Sequence, residues 1–239
     1  KMVPIVPEAA KRADPLVVYA EPHNTLIADA EGFRCGVPQV EGLLAVSDID
    51  AYVDRKLFIH NLGHAATAYL AFRHNPSISL VADAIERREI AGPVCSAMDE
   101  AAAALVAHYP HVFDAAALAE HRDDLLHRFR NRALGDTVFR VGRDLPRKLG
   151  REDRIIGAMR LAARHSVGYE RIASVAAAAF CFRATDERGE LDPHDRAFHD
   201  RFEQIGLRPA MEEYCGLSRE DTEELELMNA IESAYHHVS

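Results

Sequence analysis

A mainly helical fold is what this sequence predicts, on three observations. Apolar residues recur at helical spacing in segment after segment. Alanine-rich stretches favour helix. Cap residues precede many of these segments, and glycine or proline follows several of them. The chain has 239 residues, of which 48% are hydrophobic. That is enough for one large domain or two small ones with a sizeable core.

Each element has its own signal. Pro15-Leu16-Val17-Val18-Tyr19-Ala20 and Thr25-Leu26-Ile27-Ala28-Asp29-Ala30 are strand candidates. Pro22-His23-Asn24 between them supplies turn chemistry, so a small N-terminal β hairpin is expected. Ser47 with Asp50 three residues on reads as the start of a helix over 48–72. It should end before Asn75-Pro76, because a proline disfavours helix in the residue before it. Ser77 opens a helix to about residue 89, Gly92-Pro93 breaks or kinks it, and helix resumes to about residue 108. Asp114 caps a helix towards Arg130. Residues 134–148 read as short helix and loop around Gly135, Gly142 and Pro146. Helix is expected over 152–164 and over 169–183, the second largely small and apolar and therefore buried. Asp192-Pro193 starts a helix through Phe202. A short helix over 209–215 stops at Gly216, and Ser218 with Asp221 caps the last one to about residue 236. No internal repeat or low-complexity linker interrupts the helical domain, drawn over 15–239.

Charge and cysteine usage narrow the function. The formal net charge of -10 argues against a nucleic-acid or polybasic membrane surface. No apolar run is expected to reach bilayer length, and no secretory signal precedes the domain. Cys35, Cys95, Cys181 and Cys215 are scattered without CxxC spacing and read as reduced thiols of a cytoplasmic protein. Gly135, Gly142 and Gly150 are too sparse, and follow helices, so they cannot form a GxGxxG phosphate loop after a strand. A dinucleotide-binding half is therefore expected to be missing from this chain, either cut off or carried by another chain.

The chemistry centres on Asp54-Arg55-Lys56-Leu57-Phe58-Ile59-His60-Asn61-Leu62-Gly63-His64. At about 100° per residue, Lys56, His60 and His64 climb one helix face. Asn61 falls about 60° to the side of His64. Leu57, Phe58 and Leu62 can hold the helix against a core, and Gly63 leaves approach unblocked. A lysine kept from water loses basicity and can take a proton from a hydroxyl near neutral pH. The Asn61 amide can donate to an oxygen that becomes an alkoxide or carbonyl, and His64 can hold a neighbouring hydroxyl. Spacing alone favours an amphipathic helix with a solvated lysine and a satisfied core histidine. His60 and His64 also have the spacing of a metal pair, but position 61 is Asn where H-E-x-x-H has Glu, and no third ligand stands nearby in sequence. No metal is expected.

Lys56-x-x-x-x-Asn61-x-x-His64 resembles the signature of the polyol-specific long-chain dehydrogenases, the mannitol dehydrogenase family. The longer run Tyr52-Val53-Asp54-Arg55-Lys56-Leu57-Phe58, Asn61-Leu62-Gly63-His64-Ala65 and Ala68-Tyr69-Leu70 is most similar to the mannitol-1-phosphate 5-dehydrogenase branch. The opening Lys1-Met2-Val3-Pro4-Ile5-Val6-Pro7 resembles the segment that leaves the family's nucleotide-binding domain, which makes 1–14 an interdomain segment. The resemblance implies a helical bundle similar to the C-terminal domain of 6-phosphogluconate dehydrogenase. It implies hydride transfer between mannitol 1-phosphate and fructose 6-phosphate, with NAD as carrier held by the missing Rossmann domain, and no metal. It makes Lys56 the general base, Asn61 the holder of the reacting oxygen and His64 the residue orienting the adjacent hydroxyl. The chain alone should be inactive.

A second constellation follows Arg128-Phe129-Arg130-Asn131. Within Arg140-Val141-Gly142-Arg143-Asp144-Leu145-Pro146-Arg147-Lys148-Leu149, four cations fall in nine residues. Arg140, Arg143, Arg147 and Lys148 suit a phosphate, although the pattern by itself favours a solvated basic face paired with carboxylates. Val141-Gly142-Arg143 and Arg147-Lys148-Leu149 again resemble the mannitol-1-phosphate branch. The separation of Arg140 and Lys148 is similar to that of the family's substrate-contacting arginine and lysine. The branch usually has a glutamine and then Pro-Leu where this chain has Asp144-Leu145-Pro146. The competing reading is a free-standing helical module, without catalysis, that binds a sugar phosphate or a partner protein.

Overall fold

The computed structural model describes residue 6, residues 8–19 and residues 25–237. The expected turn Pro22-His23-Asn24 and nearly all of the opening 1–7 lie outside the described residues. Helix α1 spans Glu8–Ala13, β1 Leu26–Asp29 and β2 Leu43–Val46. The strands pair in parallel, with Leu26 opposite Leu43 and Asp29 opposite Val46. This corrects the expected hairpin. Residues 15–19 form no strand, and Leu16 and Val18 are exposed. The partner of β1 is a later segment, reached through a 3-10 turn at Ala30–Gly32 and a loop. A crossover of that length is what a parallel pair requires.

The expected helix over 48–72 is a continuous helical path with an irregular middle. It comprises α2 (Ile49–Arg55), a π-helical segment Lys56–Asn61 and α3 (Leu62–His74). The start is capped by Asp48, whose carboxylate accepts from Ala51 N, and not by Ser47. The next helix, α4 (Val81–Ile85), starts later than Ser77. Asn75 Oδ1 accepts from Ser77 N at 3.0 Å and from Ser77 Oγ at 2.8 Å, which closes a local turn instead of a cap. Residues 78–80 then run extended. Leu80 bridges Thr137, and Val138 N donates to Ser79 O at 2.8 Å.

Helix α5 (Arg88–His108) passes through Gly92-Pro93 unbroken. Both residues are exposed in its second turn while Ile90 and Val94 anchor the buried side. Proline there deletes a single hydrogen bond on the solvent side. By length and composition α5 could cross a membrane, which corrects the expectation that no apolar run reaches that length. In this fold α3, α6, α9 and α10 pack around it. Helix α6 (Ala115–Phe129) starts at Asp114 as expected. Short helices α7 (Val138–Gly142) and α8 (Leu145–Lys148) follow. Helix α9 begins only at Ile156 and ends at Arg164, and α10 spans Glu170–Phe180. Helix α10 is almost wholly buried. Asp192 caps α11 (Pro193–Ile205). Helix α12 (Leu207–Cys215) stops at Gly216, whose φ of 62° is left-handed, a conformation glycine adopts without strain. The last helix, α13 (Thr222–His236), is capped by Asp221, not Ser218.

Candidate active site

The π segment coincides with the first part of the predicted signature. Its first residue is Lys56 and its last is Asn61. The turn closes through Leu62 N, which donates to Leu57 O five residues back. π turns of this kind are rare and are frequently found at functional sites. Phe58, Ile59 and Leu62 are buried and fix the segment to the core, with Leu57 half-buried. Gly63 has a packing role that the sequence reading misplaced. A Cβ there would lie 2.5 Å from Met98 Sδ, so the glycine admits α5, not a substrate.

Lys56 is exposed. The expected shielding of its amine is therefore absent within this chain. It lines a cavity of about 270 Å³ with Ile27, Tyr52, Val53, His60, His121 and Arg128. His60 links it to the next turn, with ring centroids 6.3 Å from His64 and 5.9 Å from Phe129. Burial and then the neighbouring His64 hold His60 at a pKa of about 3. Asn61 is half-buried between them in sequence.

His64 stacks on Phe129 at 5.0 Å and 16°. Its Nε2 lies 2.9 Å from Asp136 Oδ2. Burial, followed by the cations Arg140, Lys148 and Arg154, lowers its pKa to about 3, so the imidazole is neutral at physiological pH. The other oxygen of Asp136 pairs with Arg140. The His64 Nε2 contact with Asp136 is a close approach and not an aligned hydrogen bond, and Arg140 Nε is buried without a hydrogen-bond partner. Buried polar atoms are normally paired, so Arg140 Nε beside this carboxylate marks a place where a polar ligand gains a hydrogen bond.

The second constellation divides. Arg140 and Arg143 line one cleft with Ser79, Thr137 and Arg188. Arg143 also lies 3.7 Å from Asp192, and its guanidinium sits over the Phe139 ring. Arg147 turns to Asp144 at 2.5 Å and Asp153 at 3.6 Å. Lys148 is buried, and its Nζ donates to Val141 O at 2.7 Å and to Arg143 O. Burial, then Arg154 and Arg147, push its pKa down to about 7. A muted amine is therefore present at Lys148. The departing loop is ordered by Asp195, which accepts from Asp144 N at 3.1 Å and Leu145 N at 2.7 Å. Asp144 has a φ of 69°, a conformation that Asp tolerates better than most residues.

Sequence reasoning missed Asp136 and Arg154, and it quoted Phe129 only as part of a basic run without its stacking on His64. Only Asp136 carried a signal: it stands i,i+4 to Arg140, next to the cap residue Thr137.

The described residues form a helical bundle that carries a lysine, an asparagine and a histidine along one irregular helical path. Residues 48–238 match the mannitol dehydrogenase C-terminal domain family, and the chain belongs to that family. Among its relatives are two mannitol-1-phosphate 5-dehydrogenases. That of Bacillus licheniformis is 32% identical over 212 residues, covering 87% of this chain and 52% of the relative. That of Bacillus subtilis is 34% identical over 204 residues, covering 85% and 51%. The chain thus spans about half the length of these relatives. The fold is shared with Pseudomonas fluorescens mannitol 2-dehydrogenase, solved as a ternary complex with NAD and D-mannitol. That match has a TM-score of 0.71 at 21% identity and covers 99% of this chain and 50% of the other. Substrate-free D-sorbitol dehydrogenase matches at a TM-score of 0.76 and 20% identity, with the same coverage.

Proposed function

We propose that this chain is the substrate-binding and catalytic half of an NAD-dependent polyol-phosphate dehydrogenase that interconverts mannitol 1-phosphate and fructose 6-phosphate. The observation that carries the reading is the convergence of His64 and Arg140 on Asp136, one turn beyond the Lys56–Asn61 segment. The family and the mannitol-1-phosphate relatives support the same reaction.

Nothing in the described residues suits a dinucleotide, since no close-spaced glycines open a helix after a strand. NAD, the hydride carrier, belongs to the other half of the protein, and residues 1–14 are the connection to it. This chain does the rest. Lys56 takes the hydroxyl proton in oxidation and returns it in reduction. Asn61, with a donor from the other half, holds the reacting oxygen. His64, neutral, orients the neighbouring hydroxyl. Arg140 and Arg143 hold the remote, phosphorylated end in their shared cleft. Lys148, tied to the last carbonyls of α7, fixes the turn that presents both. The Lys56 cavity is lined in part by the exposed apolar side chain of Val53. Seating the other half on that face would shield the amine and lower its basicity.

The test is turnover of NADH with fructose 6-phosphate. The whole protein that carries this chain should turn over, and the chain alone should not. Measurable turnover by the isolated chain overturns the division of labour.

A further inference from the structure

Asp136 is held more firmly than a surface carboxylate. Its own carbonyl accepts from Val81 N at 2.9 Å. Thr137, next to it, bridges Leu80 and caps α7 by accepting from Arg140 N at 3.1 Å. Val138 N is tied to Ser79 O. The extended stretch before α4 and the start of α7 thus clamp residue 136 on both sides. Its side chain is 9% exposed. One oxygen meets Arg140 and the other meets His64, while the His64 ring is flanked by Phe129.

We propose that Asp136 is the positioning residue of this site, dividing its two oxygens between Arg140 and His64 and fixing the imidazole as the Nε2–H tautomer. An ionised carboxylate only accepts. A neutral ring with Nε2 facing it is therefore stable only with the proton on that nitrogen. The tautomer is set by the partner of one ring nitrogen, and it dictates what the other can do. Nδ1 is left without a proton and can only accept, so it takes the hydrogen of a substrate hydroxyl. The same carboxylate keeps the Arg140 guanidinium paired and aimed along the substrate path. This assignment rests on the roles given above to His64 and Arg140, and it makes Asp136 a residue that acts through them without touching the reacting atoms.

Imidazole 15N NMR of the chain at pH 7 tests the tautomer without cofactor or turnover. Wild type should show Nε2 protonated and Nδ1 unprotonated at His64. Asp136→Asn, whose amide can donate as well as accept, should show a mixture of the two forms. A protonated Nδ1 in wild type overturns the proposal and needs no variant to be seen. An unchanged tautomer in a folded D136N overturns it as well. In the whole protein, D136N should lower kcat/KM roughly 10- to 100-fold, as loss of a ligand-orienting partner does elsewhere. The loss should fall mainly on KM. A fall in kcat at unchanged KM counts against positioning. The NMR result stands whatever Lys56→Ala does to turnover, so the two readings fail separately.

Discussion

Replacing Lys148 with methionine should remove a pH dependence of stability that this one amine creates. Lys148 is buried beside Arg154 and Arg147, and its pKa falls from 10.5 to about 7. Between those values the unfolded chain holds a proton that the folded chain has shed. Stability then rises with pH at about 1.4 kcal/mol per pH unit. Below pH 7 both states carry the proton, and this contribution is flat. By pH 10 the gain from this group reaches about 4 kcal/mol. The variant also leaves Val141 O and Arg143 O without their donor, at about 1–3 kcal/mol for each buried group. That part does not vary with pH. Urea unfolding of the chain and of Lys148→Met at pH 6, 7, 8, 9 and 10 separates the two effects. The difference in unfolding free energy should be constant up to pH 7 and widen in favour of wild type above it. A difference that stays constant to pH 10 would mean that the amine keeps its proton in the folded state, and the burial argument would be wrong.

Other outcomes follow from the same geometry. In the whole protein, Lys56→Ala should lower kcat by roughly 10²- to 10⁴-fold, the usual range for a proton-transferring group, with KM little changed. Near-normal kcat removes Lys56 as the base. Arg143→Ala should raise KM more for the phosphorylated than for the free sugar, whereas Arg147→Ala, whose guanidinium is held by Asp144 and Asp153, should change both less. Equal effects of Arg143→Ala on the two sugars would withdraw the phosphate role. Acid should destabilise the fold, because His60 and His64 titrate near 3 and His199 near 4 against an ordinary 6.5. Their contribution is complete above pH 6.5 and is lost as pH falls towards 3. Unfolding midpoints at pH 7 and pH 4 for wild type and His60→Phe should show a smaller drop in the variant.

Where a helix boundary is written by local chemistry, the sequence was a sufficient guide. Asp114, Asp192-Pro193 and Gly216 each sit where their caps or breakers imply. The parallel pairing of β1 was not legible, because a two-strand register depends on a partner beyond the intervening loop. Pro93 misled for a related reason. A proline costs a helix little when its side of the turn faces solvent, and exposure is a tertiary property. The lysine, asparagine and histidine were visible as a pattern, but their environments were not. Burial singled out Lys148, which the sequence presents as one of four clustered cations, and left Lys56 open. Asp136 had only an i,i+4 relation to Arg140 to mark it. Its value comes from the clamp between residues 79–81 and 136–138, which no local pattern announces.

The π segment resolves a difficulty in the α-helical reading of the signature. At about 100° per residue, positions 56 and 61 of an α-helix stand about 140° apart. A base and an oxygen-holding amide placed that way could not easily reach one carbon. A π turn closes on the fifth residue instead of the fourth, so it brings residues five apart towards one line. Lys56 and Asn61 bound the segment and are such a pair. The single residue of extra winding therefore does what the side-chain order alone cannot, and α3 then carries His64 onward to Asp136 in regular register. The cost is a weaker hydrogen-bond ladder, offset by Phe58, Ile59 and Leu62 in the core. On this argument, inserting one alanine within 57–60 sets the pair six apart, about 120° out of line on an α-helix, and should abolish catalysis while α2 and α3 remain helical. An insertion variant that retained near-normal kcat would show that the alignment of Lys56 and Asn61 has no bearing on the chemistry.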